Sequence, residues 1–232
     1  MASLGDFSSP ALVCYATQSG GTTLDTAAGG GNPFASALID AASEQKLQLK
    51  DLPARLGELT GIKSNGRQVV ECVGRPRLPT WQFFENLGRA RERRCALVLV
   101  VSDYSRFTPD ASLIGAARDE RRIAAMLAQF GFSVTQGVGS TRQELTLALT
   151  SFCRRSARAD IGIVYSTGHG VECNGIVYLL PGDYPKRDGF GTVQLARHAV
   201  SVPRMVQAVH ASGQNLVFFA GCRTHVVDSE LG

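Results

Sequence analysis

A chain of 232 residues that is 44% hydrophobic carries enough apolar material to bury one α/β core, and no compositional bias points to a disordered or fibrous class. The net charge of +4 is mild and much of it lies in one stretch, Arg89–Arg94, so the broad basic stripe of a nucleic-acid reader is excluded. That stretch reads as a solvated linker or helix face.

No segment approaches the roughly 18 unbroken apolar residues of a membrane span. Met1–Asp6 lacks the basic flank and apolar run of a signal peptide. The six cysteines, at 14, 72, 95, 153, 173 and 222, form no CxxC pair. Free thiols in a reducing cytoplasm are therefore expected.

In chain order, Ala11–Tyr15 predicts a buried strand, followed by a Gly- and Thr-rich loop from Gly20 to Gly31. Asn32 and Pro33 predict a helix start, with Asn32 as the cap and Pro33 at the first helical position. A second helix is expected near Leu47–Leu59 and a strand near Gln68–Cys72, with an irregular exit through Pro76, Pro79 and Trp81. After the basic stretch, Ala96–Val101 is apolar on both faces, as an interior parallel strand should be. Ser112–Phe130 has helical spacing, and Gly131–Val134 leads into a short strand. Thr141–Arg158 is amphipathic, with Thr141 and Glu144 in the capping-box pattern. Strands at Ile161–Tyr165 and Ile176–Leu180, a helix from Ser201, and a last strand at Asn215–Phe219 complete the alternation. Strand and helix alternating at this pitch predict a parallel sheet with helices on both faces.

Ligands of such sheets bind beyond the carboxyl ends of the strands. Two polar motifs fall there: Tyr165–Gly170, containing His169, and Ala220–Thr224, containing Cys222. A thiol is only slightly ionised at neutral pH, and an adjacent imidazole corrects that, so His169 and Cys222 are the candidate catalytic pair. The amides of Gly170 and Cys222 are the candidate oxyanion donors. A lone Cys after an apolar strand is more often a buried small hydrophobe; the joint placement of the two residues, each beside glycine, argues for chemistry. His198, His210 and His225 read as structural or surface residues. No four-ligand metal spacing emerges, and the glycine-rich loop lacks the Lys-Ser/Thr of a phosphate loop, so no metal or cofactor is expected. Cys222 also lacks the frame of an α/β-hydrolase nucleophile elbow.

These pieces together resemble the caspase-like peptidases, the class that includes caspases, metacaspases and their bacterial relatives. The resemblance rests on the Leu97–Ser102 strand, the helix opening Leu113–Asp119, and the motifs Tyr165–Gly170, Val177–Pro181 and Ala220–Arg223. His169 precedes Cys222 by 53 residues, against ≈ 50 in the caspase pattern. Residues from about 10 to 84 resemble the smaller segment that in this family follows the catalytic Cys. The chain therefore looks circularly permuted: 10–84 as the small segment, 85–95 as a linker and 96–232 as the large catalytic segment of a single domain.

The resemblance implies a three-layer sandwich of about six mostly parallel strands with helices on both faces. It also implies a cysteine endopeptidase acting on peptide or protein substrates, with His169 as general base and acid, Cys222 as nucleophile and Gly170 as oxyanion donor. No nucleic acid, membrane or cofactor is expected, and the oligomeric state is left open, with a monomer favoured over an assembly.

The chain departs from the family at Ala220, where caspases carry Gln or Asp, and at Gly221. Asp25 falls where Asp-directed caspases place an Arg, and Leu113 where they place another, so a preference for Arg or Lys in the substrate is expected. Thr22, Thr23 and Leu24 are expected to pair with the substrate backbone as an added strand. If the enzyme prefers basic residues, Arg89, Arg91, Arg93 and Arg94 become candidate self-cleavage points. The alternative to an active enzyme is a catalytically silent caspase-like interaction module.

Overall fold

The computed structural model describes residues 11–27, 30–83, 92–108, 111–137, 140–185 and 189–226. Its centre is a sheet built from β1 (Ala11–Tyr15), β2 (Glu71–Val73), β3 (Arg94–Val100), β4 (Ser133–Gly137), β5 (Ile161–Thr167) and β9 (Gln214–Phe219). The strand order is β2-β1-β9-β5-β3-β4, and every pairing is parallel except β1 with β2. Strands β1, β3, β5 and β9 are buried along their whole length. Both faces of those strands must therefore be covered, and continuous apolar runs follow.

Helices α1 (Pro33–Ala42), α2 (Leu52–Lys63) and α3 (Ile114–Gln129) pack one face, with Phe34, Leu56 and Ile123 wholly buried against Leu12, Val98 and Phe218. Helices α4 (Arg142–Ser156), α5 (Thr192–His198) and α6 (Val202–Ala208) pack the other, where Leu149, Leu195 and Met205 meet Leu97, Val164 and Val217. The result is the expected three-layer α/β sandwich with a mostly parallel six-stranded sheet. A second, four-stranded sheet of β6 (Gly170–Cys173), β7 (Ile176–Leu179), β8 (Val200–Ser201) and β10 (Thr224–His225) stands at its carboxyl edge.

Strand β1 pairs with β9 from Ala11↔Asn215 to Tyr15↔Phe219, so the two ends of the chain share one sheet. The polar side chain of Asn32 accepts the N–H of Phe34 at 2.8 Å, and Thr141 with Glu144 forms the full capping box.

Several expectations are revised. The second helix starts at Leu52 and not near Leu47, because Leu49 and Lys50 give their N–H groups to Trp81 and Pro79 and Pro53 sets the first turn. The linker ends earlier than residue 95: Arg94 and Cys95 are buried at the start of β3, whereas Arg93 is exposed. Arg94 is held by Glu92 and by the carbonyls of Phe83 and Phe130, which removes it from the self-cleavage candidates; Arg89 and Arg91 lie outside the described residues. Nor are all six thiols free. Cys14 and Cys72, direct cross-strand partners on β1 and β2, form a disulfide, leaving Cys95, Cys153, Cys173 and Cys222 as thiols.

Candidate active site

Parallel strands in register deliver their carboxyl ends to one level. Ser166 pairs with Phe219, and the N–H of Ala220 donates to the carbonyl of Ser166 at 2.8 Å. His169 and Cys222 each follow three residues later, on loops that run side by side. Two glycines allow that approach. Gly168 sits at φ 151°, where an added Cβ would lie 2.6 Å from the Tyr104 hydroxyl. A Cβ on Gly170 would drive into the carbonyl oxygen of Cys222. The candidate oxyanion residues, Gly170 and Cys222, thus lie backbone against backbone.

His169 is fixed from three directions. Its N–H donates to the Tyr104 hydroxyl at 2.8 Å, and that hydroxyl donates to the Leu180 carbonyl at 2.7 Å. Its carbonyl accepts from Leu180 N–H at 2.9 Å. Burial pushes the Tyr104 phenol far above its ordinary range, so it remains a neutral donor. The imidazole packs 4.3 Å from the Tyr104 ring and stacks on Phe107, with Nε2 2.8 Å from the Ala111 carbonyl. A carbonyl only accepts, so Nε2 carries the proton and a neutral ring keeps its lone pair on Nδ1.

The Cys222 sulfur is half-exposed and lies under Thr23, whose N–H points at Sγ from 3.3 Å and whose hydroxyl is 3.4 Å away. His169 and Cys222 share no hydrogen bond in this structure, each engaging a different neighbour. The loop that carries Thr23 is zipped to the Cys222 segment, with Gly20 N–H to Arg223 O at 3.0 Å and Arg223 N–H to Gly21 O at 2.9 Å. Gln68, buried, holds the same loop by accepting Leu24 N–H at 3.0 Å and donating to the Ala16 carbonyl at 3.2 Å. The amides of Thr23 and Leu24 are therefore engaged inside the protein, while Thr22 is exposed.

Asp25 is also occupied. Its carboxylate accepts the N–H groups of Gly115 and Ala116, at 2.8 and 3.0 Å, and so caps the first turn of α3, whose own N-cap position is Leu113. A second acid, Asp119, lies nearby and was not singled out in the sequence. It is wholly buried, accepts from Asn32 N–H at 2.8 Å and Arg122 at 2.9 Å, and burial lifts its pKa to about 6. Asn32 in turn donates to the Ala220 carbonyl at 3.2 Å, tying this acid to the strand end before Cys222.

Sequence reasoning also missed the ionic cluster beside Cys222. Arg223 is buried on the Tyr15 ring at 4.3 Å, donates to Glu172 at 3.0 Å and to the Thr17 carbonyl at 3.3 Å, and ion-pairs with Glu71. Glu172 accepts from Ser19 at 2.9 Å, and His225 lies 2.7 Å from the same Ser19 hydroxyl. The available signal was positional: Glu172 and Arg223 are near neighbours of the two candidate residues. Among the described residues no group of three His, Cys, Asp or Glu side chains is placed to hold a metal, and no helix is long and apolar enough to cross a membrane.

No curated protein matches the chain. The family model described as the caspase domain of the C14 peptidases matches residues 93–230, which include both strand-end motifs, Glu172 and Arg223. That match spans more than half of the sequence, and the chain belongs to the caspase-domain family of cysteine peptidases.

Proposed function

We propose that the chain is an endopeptidase working through a Cys222–His169 dyad on peptide or protein substrates. The observation that carries this reading is the side-by-side exit of the two loops from adjacent parallel strands, with Gly170 against the Cys222 carbonyl. His169 Nδ1 takes the Cys222 proton as Sγ attacks the scissile carbonyl, and the N–H groups of Gly170 and Cys222 face the oxygen that becomes negative. Collapse breaks the C–N bond, and His169 returns the proton to the departing amine. Water, deprotonated by the same imidazole, then cleaves the thioester. Thr23 must move off Sγ before substrate enters.

A preference for Arg or Lys is part of the same proposal. A carboxylate has about four lone-pair positions, so Asp25 retains acceptor capacity after serving two amides. Asp119 adds a second acid in the vicinity, one whose charge Asp25 influences. Thr22, exposed at the loop tip, remains available to a substrate strand, with the Thr23 and Leu24 amides joining when the loop opens. The order of segments, 10–84 before 96–232 in one domain, is read as a circular permutation; its support is the β1–β9 pairing and a family match confined to residues 93–230.

The test is labelling with a peptidyl electrophile and cleavage of matched peptides ending in Arg, Lys, Asp and Leu. Cys222→Ala and His169→Ala should each abolish cleavage while retaining the wild-type fold. Normal turnover by Cys222→Ala would sink the dyad. An Arg preference untouched by Asp25→Ala would remove Asp25 from the pocket, and absent labelling of wild type would favour the silent module.

A further inference from the structure

We propose that a cavity at the opposite end of the sheet binds a small oligophosphate, a chain of two or three linked phosphates either free or carried on a nucleoside. The cavity lies where β3 and β4 begin and α4 ends, with a volume of about 460 Å³, inside the 300–1,000 Å³ range of small-ligand sites. Arg93, Arg94, Arg154, Arg155 and Arg158 line it. Among the described residues the carboxylates paired with these arginines are Glu92 and Asp160, leaving an excess of three positive charges there in a chain whose total is +4. Most of the net charge of the protein is thus gathered around one hollow, far from the catalytic strand ends.

The arginines have no complete structural employment. Arg154 and Arg158 are exposed and have no ion-pair partner among the described residues. Arg155 donates to the Ser133 carbonyl and hydroxyl at 3.2 and 3.0 Å. Arg94, on the buried side, holds Glu92 and two backbone carbonyls, yet its Nη2 is buried with no hydrogen-bond partner among the described residues. An α4 C-terminus explains one or two cations through its dipole. It does not explain Arg93 and Arg94, which enter from β3, nor like charges facing one hollow at a repulsive cost.

Guanidinium forks match phosphate oxygens in bidentate geometry. The triple charge excess favours a ligand with several negative charges over a carboxylate or a single sulfate. No aromatic side chain among the described residues lines the cavity, and single-stranded nucleic acid relies on aromatic surfaces for stacking, so an extended nucleic acid is the poorer fit. Cys95 on the wall has its pKa raised to about 11 by burial, which leaves it an inert neutral thiol.

The experiment is calorimetric titration of the whole chain with tripolyphosphate and, separately, with ATP, at about 50 mM salt to limit screening. One site per chain is expected, weakened roughly a hundredfold in Arg154→Glu/Arg158→Glu, whose melting temperature should match wild type. Tighter binding of ATP identifies a nucleotide site, and equal or tighter binding of tripolyphosphate a free-phosphate site. A control pair, Arg67→Glu/Arg75→Glu, carries the same charge change on exposed residues elsewhere and should bind as wild type does. Absence of binding overturns the proposal, as does equal weakening in both double variants. So does a single-stranded oligonucleotide of about 12 nucleotides binding more tightly than either phosphate ligand.

Discussion

Replacing Glu172 by Gln removes one charge from the buried Glu172–Arg223 ion pair next to Cys222. The Glu172 and Arg223 side chains are 7% and 8% exposed, whereas Glu71, the other acid on Arg223, is 43% exposed. Breaking a buried pair by removing one partner costs about 3–5 kcal/mol, because the remaining charge stays out of water. An exposed partner contributes roughly 0–1 kcal/mol. Glu172→Gln should therefore lower the melting temperature by about 6–20 °C, at the 2–4 °C per kcal/mol typical of this chain length, and Glu71→Gln by only a few degrees. The double change Glu172→Leu with Arg223→Met should cost much less than the sum of the single changes, since it removes both buried charges and leaves only the solvent-exposed Glu71 without Arg223. Differential scanning calorimetry supplies the temperatures, and electrophile labelling reports whether Cys222 is displaced. Equal losses for Glu71→Gln and Glu172→Gln would refute the burial argument.

Further outcomes follow from other contacts. Gly170→Ala should slow Cys222 labelling about a hundredfold without unfolding the sheet, because its methyl group displaces the Cys222 carbonyl; wild-type labelling kinetics would contradict this. Asp119, raised to about 6 from the ordinary carboxylate value, binds a proton in the folded chain that the unfolded chain has released. Its contribution to stability therefore falls as pH rises from about 4 to about 6. The difference in melting temperature between wild type and Asp119→Asn should shift in that window, and a flat difference would exclude the assignment. Thr141→Ala should cost about 1 kcal/mol through loss of the capping box, read by urea denaturation with an unchanged m-value.

The parts of the fold legible in the sequence are those governed by local rules. Asn32–Pro33 and Thr141–Glu144 mark helix starts because their side chains serve backbone groups within three residues. Apolar runs such as Leu216–Phe219 mark interior strands because nothing else can be buried on both faces. That the loops carrying His169 and Cys222 leave neighbouring strands at one level was legible because strand ends in a parallel sheet fall together. What escaped depends on distant partners. The start of α3 is fixed by Asp25, about 90 residues earlier, and Glu172 is meaningful only through Arg223. Strands β6, β8 and β10 are two to four residues long and exist because they pair. The Cys14–Cys72 bond could not be read from spacing, since it requires knowing that β2 runs antiparallel beside β1.

The β1–β9 pairing also sets the order in which this molecule can be completed. During synthesis β1 emerges first, and its buried edge has no partner until Gln214–Phe219 has left the ribosome. At about 5–20 residues per second, that is an interval of roughly 10–40 s. Until then the apolar Ala11–Tyr15 segment can pair only with β2, an antiparallel partner reached through the long connection that carries α1 and α2. Contacts of such high sequence separation form slowly. Cys222 lies three residues beyond the closing strand, so it is delivered in the same step that closes the sheet. A nascent or truncated chain that ends before β9 therefore holds His169 without Cys222 beside it, and the candidate site stays incomplete until the sheet is closed.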